Sequence, residues 1–345
     1  MTKTVIVAFN SKTIFAGTQT FAMQPRFSVE VGGEKVDVLV HFDPREGNEC
    51  GSKVTCNYDV VIDNYLTVQK ESRRSIDPRS GKPVIPLVRY TKSENMYNAV
   101  KAGEKYGIEV LCPVAVVKKG TPQHRYPQLP PLPKGMNKVI FKPEHGANGD
   151  FQFMVSRDKY YTMVRGLLEN AQWGSIINGN MTTFTKLFMH ESWHESHYEK
   201  EILDLSPMAV FPFVEDVVAE YRVLRGGDFV RVAERALVDA EGTTRVKAAR
   251  FNMAIGEKLN DYVSGEASLS AYISMRTLTD FMDSIGHYYG SLDVYVRKQG
   301  DKFVVGIFEY STQHGVSFVS ADDHIDMAKS YIRYVLEKTS KSWNK

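Results

Sequence analysis

Short apolar runs separated by polar turns fill the first quarter of the chain: TVIVAF at 4–9, RFSVEV at 26–31, VDVLVHF at 36–42 and YDVVIDNYLTV at 58–68. Alternation with a period of two predicts half-buried strands, so residues 1–86 are expected to form a β-rich N-terminal domain. The polar, proline-bearing ESRRSIDPRSGKPVIP at 71–86 reads as a loop. Residues 87–137 follow as a connecting segment. It holds LVRY, a helical pattern in SENMYNAVKAGEKYG, the strand-like IEVLCPVAVV and a semi-rigid connector, TPQHRYPQLPPLPKG.

From Val139 to Val155 two apolar strands flank a loop that carries Gly146, Asn148 and Gly149. A helix is expected over 158–171, a polar histidine-rich region over 178–205, and an apolar strand at MAVFPFV, closing a unit at 138–214. The last unit, 215–345, reads as the strand pair AEYRVLRGG and DFVRVAERALV, and one helix through SLSAYISMRTLTDFMDSIGHYYG. The strands LDVYVRK and KFVVGIFEY and a closing helix in DDHIDMAKSYIRYVLEK complete it. Strands and helices in this order predict an α+β fold, and there is no internal repeat.

Composition narrows the function classes. The 345 residues are 43% hydrophobic and 24% charged, enough for a large core and two or three domains. Lys+Arg 43 against Asp+Glu 41 leaves a formal charge of +2, which gives no electrostatic case for nucleic acid or an anionic membrane. The N-terminal apolar run is too short for a signal peptide, and no segment approaches eighteen uninterrupted apolar residues. Three cysteines, Cys50, Cys56 and Cys112, cannot make a full disulfide set, which suits a cytoplasmic protein. Oligomeric state is not encoded in any motif.

The chemistry begins at the hairpin. Glycines let backbone N–H groups approach an anion closely, and Lys142 at the end of the first strand adds a point charge suited to a phosphoryl oxygen. A plain hairpin with a surface lysine is the competing reading. Asp293 and Glu309 fall on adjacent predicted strands that can bring both carboxylates to one end of a sheet to hold Mg²⁺. Glu309 stands out because a carboxylate inside VVGIFEY is costly to bury unless a cation or donor satisfies it.

Lys142 with its glycine loop, MAVFPFVED, EYRVLRGGDFVRVAERA with RFNMAIG, and LDVYV with IFEYSTQHG occur in one order. Over residues 87 to 320 this order resembles the ATP-grasp superfamily, in particular the ligases that add amino acids to carboxyl groups, such as ribosomal-protein glutamate ligases and D-alanine:D-alanine ligases. The resemblance implies two α+β subdomains clasping Mg-ATP. Lys142 and Lys92, with Lys101 as the alternative to Lys92, would flank the phosphates. The strand end Phe213, Val214 and Glu215 would meet adenine through its backbone, with Glu215 or Asp216 at the ribose. Arg222, Arg235, Arg250 and Asn252 would clamp substrate and phosphate, and Asp293 and Glu309 would hold Mg²⁺. The chain departs from the family's Glu-x-Asn at Glu309-Tyr310-Ser311, which implies either that Ser311 or Gln313 substitutes for the amide or that the second metal is held loosely.

The implied reaction joins a carboxylate of a small molecule, peptide or protein to an amine through an acyl phosphate, releasing ADP and phosphate. A nucleotide-binding protein with reduced catalysis is the alternative. A third reading comes from His190-Glu191-Ser192-Trp193-His194, which spells the HExxH pattern of zinc hydrolases. His197 lies seven residues from His190, about 10 Å along a helix, too far for all three histidines to share one ion easily, and the sequence that follows reads as a strand.

Overall fold

The computed structural model describes residues 3–9, 26–42, 59–63, 83–86, 91–117, 131–144, 153–158, 160, 208–238, 244–246, 261–311 and 320–343. They form an α+β protein with three sheets. The first sheet holds β1 (Lys3–Phe9), β2 (Arg26–Val31), β3 (Glu34–Phe42), β4 (Val60–Asp63) and β5 (Val84–Pro86), in the order β2-β3-β1-β4-β5. Only β2 and β3 are antiparallel neighbours; β1 runs parallel to β3 and β4, and β4 to β5. Part of the stretch expected as a loop, Val84–Pro86, is therefore a strand. Pairing at the open edge beside β4 draws it in, and the terminal Pro86 suits an edge position because proline has no N–H to give.

Helix α1 (Lys92–Tyr106) starts at a capping box in which Thr91 Oγ1 accepts from Glu94 N and the Glu94 carboxylate accepts from Thr91 N. It ends at Gly107, whose left-handed φ of 68° closes the last turn. Two short strands follow, β6 (Glu109–Val110) and β7 (Ala115–Val117). The second sheet has the order β7-β10-β8-β9, with β8 (Lys138–Pro143), β9 (Phe153–Ser156) and β10 (Met208–Pro212). β8 and β9 pair antiparallel, as the hairpin pattern predicts.

The third sheet is built on two long hairpins. The first joins β11 (Val217–Gly226) to β12 (Phe229–Val238), and the second joins β15 (Tyr289–Gln299) to β16 (Lys302–Ser311). Its strand order is β13-β12-β11-β15-β16-β6, with β13 (Thr244–Val246) on β12 and β14 (Asp261–Ser264) also pairing β12. The single helix expected over 268–290 is two, α2 (Glu266–Ser270) and α3 (Met275–Ser284), and Tyr289 and Gly290 already belong to β15. The break is local chemistry: Ser274 is extended and its hydroxyl accepts from Thr277 N, starting a new helix.

One face of the third sheet packs Leu292, Val294, Val296 and Ile307 against Met96 and Ala99 of α1 and Leu278 and Phe281 of α3. The closing helix α4 (Ala321–Trp343) buries Met327, Ala328, Tyr331, Ile332, Val335 and Leu336, a stripe with helical spacing. That stripe covers Val5, Val7, Val38 and Ile62 of the first sheet together with Leu224 and Tyr289 of the third. The C-terminal helix thus supplies the core of the N-terminal sheet. No helix among the described residues is long and apolar enough to cross a membrane.

Gly226 lets α4 pack closely on β11, since a Cβ there would lie 2.2 Å from Met327 O. Gly226→Ala must push the helix backbone away and should destabilise by about 1–3 kcal/mol. The urea midpoint measures this, and an unchanged midpoint would show that α4 does not seat there.

Candidate active site

Glu220, Arg222, Arg235, Asp293 and Glu309 of the third sheet lie on the face opposite its α1–α3 core. Arg222 of β11 stands directly across from Asp293 of β15, and Asp293 directly across from Glu309 of β16. That last alignment needs an irregularity. Val294 pairs with Ile307 while Asp293 pairs with Glu309, so Phe308 is an extra residue in β16. Strict alternation would put Glu309 on the same face as Ile307, in the apolar core. The bulge resets the alternation and aims Glu309 at the face that carries Asp293.

Asp293 is held by two guanidinium groups. Arg222 Nε and Nη2 donate to its two oxygens at 2.7 and 2.9 Å, and Arg235 Nη2 donates to Oδ2 at 2.9 Å. Arg235 also reaches Glu220 Oε2 with Nη1 at 3.1 Å. Glu220 and Asp293 are buried, 4% and 6% exposed, so only paired charges are tolerable there. Burial alone would raise the Asp293 pKa, but Arg222 and Arg235 overcome it and hold the carboxyl well below the usual range. At Glu220 burial outweighs Arg235, and the pKa is raised.

Beside this arginine pair lie two lysines from outside the sheet. Lys92 enters from the first turn of α1 and Lys142 from β8, and their Nζ atoms sit 3.5 and 3.7 Å from the same oxygen, Glu309 Oε2. Burial would raise the Glu309 pKa, yet Lys92 and then Lys142 bring it below the ordinary value. Burial pulls the Lys142 pKa down, and neighbouring Lys92 adds to that, against the opposing pull of Glu309. The Lys142 ammonium also lies 5.3 Å from the Phe211 ring centroid and 5.9 Å from that of Phe308. Glu309 Oε2 accepts no hydrogen bond among the described residues.

The structure therefore brings together Lys92, Lys142, Arg222, Arg235, Asp293 and Glu309, drawn from β8, β11, β12, β15, β16 and α1. Lys101 lies nine residues further along α1 and is exposed. Ser311 ends β16, two residues beyond Glu309 and across from Ser291. Phe213, Val214 and Glu215 join β10 to β11; Phe213 N donates to Lys138 O at 3.1 Å, and Glu215 is exposed. Asp216 has a left-handed φ of 58°, and its carbonyl accepts from Lys298 N. Gly146, Asn148, Gly149, Arg250, Asn252 and Gln313 lie outside the described residues, as do His190, Glu191, His194, His197, Cys50 and Cys56.

Two acids escaped the sequence reading. Glu220 sits two residues before Arg222 on the same face, a spacing that strand alternation alone makes visible. Glu144 is 4% exposed and accepts from both Ser93 N and Ser93 Oγ, tying β8 to the start of α1.

No protein-family model matches the chain, and no curated protein sequence matches it. Among solved structures it is similar to a D-alanine–D-alanine ligase from Bacillus anthracis complexed with ATP, at 10% identity and a TM-score of 0.45, covering 99% of each chain. It is also similar to a RimK domain ATP-grasp protein from Sphaerobacter thermophilus, at 13% identity and TM-score 0.42, covering 95% of this chain and 99% of that one. The D-cycloserine synthetase DcsG matches at 10% identity and TM-score 0.44, over 96% and 99%.

Asp293 gives the site a pH signature. Its folded pKa lies below the ordinary 3.8, so the stability it contributes is present above pH 3.8 and is lost as pH falls below that value. At neutral pH Asp293→Asn should cost about 3–5 kcal/mol by removing the buried carboxylate that pairs with Arg222 and Arg235. Urea unfolding of both proteins should show the gap narrowing as pH drops from 5 towards 2; a constant gap would show that the carboxylate is not ion-paired.

Proposed function

We propose that the protein is an ATP-dependent ligase that joins a carboxylate to an amine and releases ADP and phosphate. The observation that carries this reading is the convergence of Lys92 and Lys142 on one oxygen of Glu309. Two ammonium groups from different elements sharing one carboxylate oxygen leave a spare positive charge, and that pair can take up phosphoryl oxygens. The order of motifs from Lys142 to Glu309, which resembles ATP-grasp ligases, supports the same reading.

In this reading Lys92 and Lys142 hold the terminal phosphates of ATP. A substrate carboxylate oxygen attacks the γ-phosphorus, the bond to the ADP oxygen breaks, and the cations spread the charge that develops. The amine nitrogen then attacks the activated carbonyl carbon, phosphate leaves, and the amine loses its proton. Arg222 and Arg235 present planar forks beside the lysines, with Asp293 and Glu220 fixing their orientation before substrate arrives. The backbone of Phe213, Val214 and Glu215 would take adenine, while Gly146, Asn148 and Gly149 would cover the phosphates and Arg250 and Asn252 complete the clamp.

Glu309 is the residue that would hold Mg²⁺: its Oε2 is buried and receives no hydrogen bond, but it faces the Lys92 and Lys142 ammonium groups at 3.5 and 3.7 Å, which would have to turn towards phosphate to admit the cation. Asp293 offers less, since both of its oxygens already accept from arginines. Among the described residues no three His, Cys, Asp or Glu side chains form a metal-binding group. When bound, the cation neutralises phosphate charge.

Lys142→Ala and Glu309→Ala should each abolish ADP release in a screen of carboxylate and amine pairs, with unchanged far-UV circular dichroism. Full turnover by both variants would sink the ligase reading. ATP binding by the wild type with no ADP from any pair would favour a nucleotide-binding protein, the reading that Ser311 in place of an asparagine suggests.

A further inference from the structure

We infer that Glu144 is a positioning residue that sets the spacing of Lys92 and Lys142; its consequence for ATP rests on the function proposed above. Helix α1 already has a complete cap of its own in Thr91 and Glu94, so it does not need a second acid at its N-terminus. Glu144 nevertheless buries its carboxylate there, with Oε2 accepting from Ser93 N at 2.9 Å and Oε1 from Ser93 Oγ. Its backbone carbonyl accepts from Lys92 N at 3.4 Å.

The tie falls two residues after Lys142 in the chain and at the residue next to Lys92. A second tie runs from Asn95 Nδ2 to Tyr310 O at 2.9 Å, next to Glu309. Helix α1 is thus tied to the end of β8 and to β16, the Lys142–Glu309 contact closes the third side between β8 and β16, and Lys92 on Glu309 adds a second tie from α1 to β16. Buried carboxylate bonds to a backbone N–H and a hydroxyl are strong and directional, so they fix register where a flexible lysine stem cannot. Losing them frees α1 to slide against β8, and the two ammonium groups no longer face one anion together.

The test is amine acetylation of the full-length protein followed by mass spectrometry, on Glu144→Ala, Glu144→Gln and Ser93→Ala, with cooperative melting confirmed for each. Labelling of Lys92 and Lys142 should rise about threefold or more in Glu144→Ala, the change that loss of a net hydrogen bond brings. Exposed Lys35 should be unaffected. Glu144→Gln keeps an acceptor for Ser93 N and should restore most of the protection. If Glu144→Ala fails to fold, Ser93→Ala, which removes only the hydroxyl bond, decides with a smaller rise. Unchanged labelling at both lysines in a folded variant would overturn the inference.

Binding of ATP and of adenosine, measured on the same variants, separates the two claims. Selective weakening of ATP in Glu144→Ala is expected, whereas equal weakening of both ligands would point to a purely structural role and overturn the inference. A wild type that binds no ATP, with labelling still responsive to Glu144, would defeat the function reading and leave the positioning role standing.

Discussion

The site depends on one constraint: charge taken out of water must be paired. Glu220, Asp293, Lys92 and Lys142 are all largely buried, and each sits within ion-pair distance of an opposite charge. Replacing such clusters with apolar side chains is often neutral or stabilising, so stability alone does not account for so many charges in one place. Their arrangement makes more sense as preorganisation, in which the cations are gathered before an anion arrives and only the lysine ammonium groups turn from Glu309 to meet it.

Backbone geometry makes the pairing reachable. The extra residue at Phe308 turns Glu309 out of the apolar face, and the capped first turn of α1 carries Lys92 to the end of β16. Lys142 comes from a different sheet, so the site lies where the second and third sheets meet. A pair of lysines contributed by separate elements responds to any movement of one element against the other. Tethers such as Glu144 to Ser93 and Asn95 to Tyr310 are what limit that movement.

Much of this was legible in the sequence, for identifiable reasons. β8, β9, β11, β12, β15 and β16 carry strong apolar alternation, and Lys142, Arg222, Asp293 and Glu309 stood out as charges inside those patterns. Glu309 was suspect because an acid in VVGIFEY has no cheap place to go. What was hidden depends on contacts between distant residues. The strand at Val84–Pro86 exists because β4 offers it a partner, a pairing that a proline-flanked apolar triplet does not announce. The helix break at Ser274 could have been read from a serine ahead of MRTL, since serine favours the N-cap. Alternation places Glu220 on the face of Arg222, whereas the significance of Glu144 comes from Ser93, 51 residues away.

A crystal structure with Mg²⁺ and a non-hydrolysable ATP analogue tests the central claim most directly. It should show phosphate oxygens in contact with both the Lys92 and Lys142 amines, with those amines drawn away from Glu309. Nucleotide bound elsewhere, or both lysines still paired with Glu309 beside a bound nucleotide, would contradict the assignment of this charged face as the phosphate site.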